Sequence, residues 1–219
     1  GATVNAGNLI AGASAPTGYD SRSTGNSALV GNGNRYGRFL DCSANGTFGS
    51  HGYVNGSGYI GTTGKVLYIS FLQQANVASG EYYEFEFHKD NLDDPGRVGG
   101  VYGDGNNINL RTPSTVTPLP TINGATNFYV LKIVYNASGS DDVYLYRNPT
   151  GATEAVNLPA LTELAQGDFS FNGISISAFF GSVPVVQLND QIRLGESWAD
   201  VVGGPPGFIL QPQGFTSNI

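Results

Sequence analysis

Val186 to Val202 reads VQLNDQIRLGESWADVV, and the reading of this run decides the fold class. Taken at every second residue, Val186, Leu188, Asp190, Ile192 and Leu194 give a mostly apolar face, the two-residue period of a half-buried strand. Gly195 breaks that period. Ser197 then stands where a helix N-cap would, ahead of one short helical turn carrying Trp198 and Val201.

The rest of the chain agrees with a β protein. Its 219 residues include 32 glycines and 11 prolines but only 12% charged residues, and 12 Tyr and 12 Phe supply side chains that suit pleated surfaces. One all-β domain of this length is ordinary. A formal charge of −7 without any Lys/Arg cluster repels phosphate backbones and anionic lipid, so nucleic acid is not expected as a partner. The single cysteine, Cys42, excludes an internal disulfide framework and reads as a small buried apolar residue, and no Cys/His spacing suggests zinc. No apolar run reaches the ~18 residues that span a bilayer. The absence of methionine and a Gly/Asn/Ser/Thr-rich, Lys-poor composition lead us to expect a processed, exported protein, extracellular or at the cell surface. Asn45, Asn55 and Asn136 open Asn-x-Ser/Thr triplets, which read equally well as turn asparagines.

Lys65 to Gln73 (KVLYISFLQ) is apolar on both alternations, as in a central strand covered on both faces. Glu81 to His88 (EYYEFEFH) alternates cleanly, with Phe85 and Phe87 on one side and Glu84, Glu86 and His88 on the other. Further strands are expected over 97–102, 106–111, 127–135, 141–147, 169–180 and 185–194, with short strands and loops over 1–64. The run TPSTVTPLPTING at 112–124 reads as a surface loop, because its prolines lack the donors of a central strand. Pro159 to Ala165 reads as a short helix. The spacing predicts an all-β, antiparallel two-sheet jelly-roll sandwich over 1–202, followed at 203–219 by a Gly/Pro linker and an apolar tail.

Five segments carry a family resemblance: GNLIAG at 7–12, GNGNRYGRFLD at 31–41, VLYISFLQ at 66–73, NFYVLKIVYNASGSDDVYLYRNPT at 127–150 and NDQIRLGESWADV at 189–201. Their order resembles the LamG-like, concanavalin A-like jelly-roll domains of secreted bacterial proteins, including those with PEP-CTERM sorting tails. The resemblance implies two curved antiparallel sheets and extracellular placement. Relatives tend to carry an acidic residue where this chain has Gln191, beside Arg193, and a further aromatic- and Gly-rich strand ahead of the position of Gly1. A sheet short of one strand exposes unpaired N–H and C=O groups, to be filled by the chain's own tail or by a terminal segment of another copy. On that ground we expect a non-enzymatic structural or adhesive protein that self-assembles into a fibre or matrix by terminal-strand exchange. Phe208, Ile209, Leu210 and Phe215 at one end, and Val4, Leu9 and Ile10 at the other, would carry that assembly.

Two other functions have residues in their favour. Tyr82, Tyr144 and Tyr146 would serve a lectin-like, polysaccharide-binding module as stacking surfaces, the latter two opposite Val143 and Leu145 on their strand. Glu84 and Glu86, about 7 Å apart on one strand face, are the residue type that glycosidases use as acid and nucleophile or base, with His88 one step beyond. Jelly-roll glycosidases related to laminarinases carry Glu-x-Asp-x-x-Glu instead, so a solvated polar face is expected for this string. Asp90, Asp93 and Asp94 on one loop, and Asp141 with Asp142 on another, offer oxygen ligands of the kind calcium accepts, and equally the side chains of ordinary turns. No other cofactor is expected.

Overall fold

Both apolar alternations of the KVLYISFLQ run are used in the strand it forms, β4 (Val66–Asn76). Leu67, Ile69 and Phe71 point into the sandwich, and Tyr68 and Leu72 lie on its outer side. The computed structural model describes residues 3–5, 27–31, 34–76, 81–104, 106–120, 125–150, 153–179, 186–202, 208–210 and 216–217. In the eight-stranded sheet β4 lies between β13 (Val186–Gly195) and β9 (Thr126–Val134). Beyond β9 come β10 (Asp142–Arg147) and β11 (Leu161–Glu163); beyond β13 come β2 (Ser27–Gly31) and β1 (Thr3–Asn5), with β14 (Phe208–Leu210) also pairing β13. The seven-stranded sheet runs β15 (Thr216–Ser217), β3 (Asn34–Phe39), β12 (Gly173–Phe179), β5 (Tyr82–His88), β6 (Arg97–Gly103), β7 (Asn107–Arg111) and β8 (Val116–Pro120). The pairings are antiparallel throughout, which makes this the predicted two-sheet jelly-roll sandwich.

Aromatic side chains knit the two sheets together. Phe71 of one stacks on Phe85 of the other with centroids 4.0 Å apart, and in the same core Phe87 packs at 4.8 Å on Phe171, which lies just ahead of β12. Each such side chain contributes about 1.5–3 kcal/mol by leaving water. A four-residue helix, α1 (Thr47–Ser50), adds Phe48 to the same core. The predicted turn after Gly195 forms α2 (Trp198–Val202). Ser197 N–H and Oγ both donate to Asp200 Oδ2 at 2.8 Å, and the Asp200 N–H donates back to Ser197 Oγ, a reciprocal cap. This helix lays Trp198, Val201 and Val202 over Tyr68, Leu72, Phe128, Val130 and Tyr146, sealing the outer face of the eight-stranded sheet.

Four expectations are corrected. The alternation of β13 is broken by a bulge between Asp190 and Arg193, with Gln191 at φ 52°. Ile192 and Leu194 therefore lie in the core, whereas Asp190, expected beside them, falls opposite Leu72 of the outer cluster. Residues 116–120 form β8 rather than a loop, and the strand is an edge, where prolines leave no ladder bond unmade. Within 159–165 the structure has the edge strand β11, paired to β10 through Leu161 and Leu145, and the helical turn falls earlier, at Glu154–Val156. Finally, terminal segments expected to cross to another copy pair within their own chain. Phe208, Ile209 and Leu210 lie opposite Leu194, Arg193 and Ile192, and Val4 lies opposite Ala28. Leu9, Ile10 and Phe215 fall outside the described residues. Among the described residues no helix is long and apolar enough to cross a membrane.

Candidate active site

Strand β5 turns Phe85 and Phe87 into the core and leaves Glu84, Glu86 and His88 on the outer face of the seven-stranded sheet. Antiparallel register then fixes their neighbours. Level with Glu84 are Arg35 on β3, Ser177 on β12, Tyr102 on β6 and Asn109 on β7. Level with Glu86 are Gly37, Ser175, Gly100 and Arg111, and level with His88 are Phe39, Gly173 and Arg97.

The expected solvated polar face is not what the structure shows. Glu84 and Glu86 are each 2% exposed, and His88 is fully buried. Two features cover them. The loop of residues 89–96 folds back so that Leu92 sits over Gly37 and Gly173, whose missing side chains make the room. A Cβ at Gly37 would come within 3.0 Å of Leu92, and one at Gly173 within 2.6 Å. Arginines from three strands then close over the carboxylates. Arg35 Nη2 stands 3.4 Å from Glu84 Oε2 and 3.2 Å from Glu86 Oε2, and 2.6 Å from Asp94 Oδ1 on the loop. Arg97 Nη1 stands 3.3 Å from Glu84 Oε1, 2.8 Å from Glu86 Oε1 and 3.4 Å from Asp94 Oδ1. Arg111 Nη1 is further off, 3.9 and 3.8 Å from the same two glutamate oxygens, and its guanidinium lies over the Tyr102 ring at 4.5 Å.

Hydroxyls from β12 complete the cluster. Ser177 Oγ donates to Glu84 Oε2 at 2.8 Å, and Ser175 Oγ lies 2.8 Å from His88 Nε2, which is 3.5 Å from Glu86 Oε2. The environment drives the two carboxyls apart. Burial, and then the charge of Glu86, push Glu84 up to about 7, against the opposing pull of Ser177, Arg97 and Arg35. Burial would raise Glu86 as well, but His88, Arg35 and Arg97 outweigh it and hold that carboxyl below the usual range. The two carboxyls thus titrate apart: below about pH 7 the proton of the pair rests on Glu84, beside an ionised Glu86. A proton donor beside a carboxylate base is the division of labour that acid–base catalysis uses.

The structure separates the three tyrosines read as a sugar platform. Tyr82, 37% exposed, stacks on Phe179 at 5.1 Å on the face of the glutamates. Tyr144 and Tyr146 lie on the opposite side of the sandwich, in the cluster under α2. There Tyr146 and Tyr68 donate to Glu154 at 2.7 and 2.6 Å, and Trp198 packs edgewise on both rings. The carboxylates read as calcium ligands accept protein hydrogen bonds. Asp90 takes bonds from Asn172 and Tyr59, Asp141 from the N–H groups of Asn136 and Phe169, and Asp142 from that of Ala165, while Asp94 joins the arginines. Asp93 N–H donates to Asn91 Oδ1. Among the described residues no three His, Cys, Asp or Glu side chains are grouped to hold a metal ion. Sequence reasoning missed the partners of the site: three of the chain's seven arginines meet here, brought from separate strands by sheet register.

No family model matches the chain, and no curated protein matches it either. Solved structures do. An endo-β-1,4-glucuronan lyase from the fungus Trichoderma reesei is similar with a TM-score of 0.52 at 10% identity, over 91% of this chain and 97% of its own. An alginate lyase of polysaccharide lyase family 7 has a TM-score of 0.44 at 12% identity over 79% of both chains. A Bacillus licheniformis β-glucanase has 0.41 at 10% identity, over 59% of this chain and 65% of its own. The expectation of a non-enzymatic, self-assembling structural protein is corrected on these findings. The glucuronan lyase, an enzyme, shares this fold over 91% of this chain, and the terminal strands β1 and β14 pair within the chain. The likeness is one of fold: this chain is a concanavalin A-like jelly roll.

Proposed function

We propose that the chain is a polysaccharide-cleaving enzyme working on the outer face of the seven-stranded sheet, with Glu84 as proton donor and Glu86 as the ionised partner. The observation that carries this reading is the buried pair of carboxyls clamped by Arg35 and Arg97, whose surroundings raise one and lower the other. Breaking a glycosidic link requires a proton for the departing oxygen and a negative or basic group across the reacting carbon. Glu84 gives its proton to the departing oxygen, and Glu86 takes one, either from the water that attacks the anomeric carbon in hydrolysis or from the ring carbon next to a uronate carboxyl in elimination, which leaves a double bond. Arg35 and Arg97 fix both carboxyls before any sugar arrives, so little reorganisation is left for the reaction itself. His88, held by Ser175, sits behind Glu86 as a positioning residue. Tyr82 and Phe179 give a sugar ring an apolar stacking surface at one end of the face. The sandwich shared with the glucuronan lyase supports a polysaccharide as the substrate class. The LamG-like affiliation and placement outside the cell belong to the same proposal, supported by the fold and by the five segments quoted above.

Purified protein would be incubated with neutral and acidic polysaccharides, following both reducing ends and the ultraviolet absorbance of unsaturated products. Glu84→Gln and Glu86→Gln should each lower turnover on the cleaved substrate by about 10²–10⁴-fold with an unchanged circular dichroism spectrum. Absence of cleavage across the panel, or undiminished turnover in both variants, would overturn the proposal.

A further inference from the structure

We infer that Arg35, Arg97 and Arg111 form a receptor for the carboxylate of an acidic sugar, and that Asp94 occupies it as an internal stand-in until the sugar arrives. This rests on the reading of the same face as a polysaccharide site, and narrows the substrate class to uronate-bearing chains.

The first argument is charge. Three guanidiniums converge on two buried carboxyls, so the cluster carries at least one positive charge in excess before Asp94 is counted. A buried excess of that sign attracts an anion. The second is the identity of the group already attending to it. Asp94 is 62% exposed in its side chain, yet one of its oxygens lies 2.6 Å from Arg35 and 3.4 Å from Arg97, on the solvent side of the two glutamates. A carboxylate has thus been placed where the open side of the receptor would present one. An ion pair so exposed is worth about 0–1 kcal/mol, which lets an incoming carboxylate displace it. The third is Arg111. Its Nη1 is buried without a hydrogen-bond partner, 3.8 Å or more from the glutamate oxygens, and its guanidinium stacks on Tyr102. That nitrogen is open to an acceptor, and guanidinium forks match carboxylates in two-point contact.

Displacement of Asp94 has a mechanical consequence. Arg35 also donates to the Leu92 carbonyl at 3.3 Å, so the same guanidinium latches the loop at two points, Leu92 and Asp94. A uronate that takes Asp94's place on Arg35 loosens the loop whose Leu92 covers this face. A neutral sugar has nothing to exchange for Asp94 and leaves the cover shut.

The test is titration calorimetry at low salt with the full chain and three probes of equal length: an oligouronate, a sulfated oligosaccharide and a neutral β-glucan oligosaccharide. Binding of the oligouronate alone, weakening as salt is raised, is expected. Asp94→Asn, which removes the stand-in from an exposed position, should tighten that binding about three- to fivefold, and Arg111→Ala should weaken it about tenfold or more. Equal binding of the neutral and acidic probes, or preference for the sulfated one, would overturn the carboxylate receptor. So would unchanged or weaker uronate binding by Asp94→Asn, a variant of an exposed loop residue that does not depend on the Arg111 variant folding. The two proposals fail separately. Cleavage of a neutral glucan without uronate binding sinks the receptor and leaves the enzyme, whereas uronate binding without cleavage of any polysaccharide does the reverse.

Discussion

On the eight-stranded sheet, α2 covers Tyr68, Leu72, Phe128, Val130 and Tyr146 with Trp198, Val201 and Val202; on the seven-stranded sheet, a loop covers Glu84, Glu86 and His88 with Leu92 and a set of arginines. Both outer faces carry a cover over their centre, one with apolar surface and the other with charge. The first is how a sandwich gains stability: under α2 the Glu154 carboxylate is held below its usual range because Lys132, Tyr68 and Tyr146 outweigh the effect of its burial, while further along the same face burial pushes Asp190 up to about 6. The second is an expensive way to close a face, since desolvating paired charges often offsets their attraction and apolar replacements are frequently no less stable. A covering made of ions that stability alone does not require is better explained by chemistry done there. The contrast extends to the protons. Glu154 gives its proton up readily, whereas Glu84 keeps one to about pH 7.

If the two faces have these separate purposes, variants should separate them. Trp198→Ala opens a cavity in the apolar cover and should cost about 3–5 kcal/mol, read as a lower urea midpoint, while sugar binding per folded molecule stays unchanged. Loss of binding in the folded fraction would show that the faces are coupled. Arg35→Ala leaves the two buried carboxyls with Arg97 and the more distant Arg111 and should cost about 3 kcal/mol. Part of this should return in the triple variant Arg35→Ala, Glu84→Gln, Glu86→Gln, which removes the stranded carboxylates and leaves Arg97 with Asp94; failure of that rescue in chemical denaturation would mean that Arg35 acts mainly through packing.

The proton on Glu84 gives a pH signature of comparable size. Its folded-state value lies above the ordinary carboxylate value, so its contribution is complete below about pH 4.5 and is lost as pH rises towards about 7. A shift of that extent corresponds to roughly 3 kcal/mol. Glu86, held low, acts in the opposite sense and loses its contribution as pH falls. Glu84→Gln isolates the first effect: relative to the variant, the native chain should lose stability between pH 4.5 and 8. Parallel stability curves would show that Glu84 titrates in the folded chain as it does in the unfolded one.

What the sequence disclosed and what it concealed divide by range of interaction. Ser197 and Asp200 are three residues apart, and their reciprocal cap was legible as a helix start. The two-period of EYYEFEFH placed Glu84, Glu86 and His88 on one face, because side-chain direction in a strand is local. Whether that face is wet is decided elsewhere, by Arg35 49 residues upstream, by Arg111 two strands over and by a loop that doubles back onto Gly37. No periodicity in β5 carries that information. The bulge in β13 was concealed for a different reason. A non-glycine residue, Gln191, takes the positive φ, so no glycine marks the extra residue, and the acceptor that Arg193 finds there is the Gln191 side-chain oxygen at 3.1 Å. The edge strands β8 and β11 were missed because proline content and shortness argue against a strand until a neighbour supplies the ladder.

The finest test removes one hydroxyl from a carboxylate on each face. Tyr146→Phe deletes a 2.7 Å bond to Glu154, which keeps Lys132 and Tyr68 as donors, so no acceptor is stranded and the loss should be about 1 kcal/mol at neutral pH. Its effect should fade as pH falls and Glu154 protonates, and cleavage should be indifferent to it. Ser177→Ala deletes a 2.8 Å bond to Glu84, a bond that favours the ionised form. A protonated Glu84 does not need Ser177 as a donor, so the stability change near pH 6 should be smaller than for Tyr146→Phe. The Glu84 proton should be held more tightly, and the alkaline limb of the pH–rate profile should move to higher pH. A Ser177→Ala profile that stays in place, or moves to lower pH, would mean that the acid in the reaction is not Glu84.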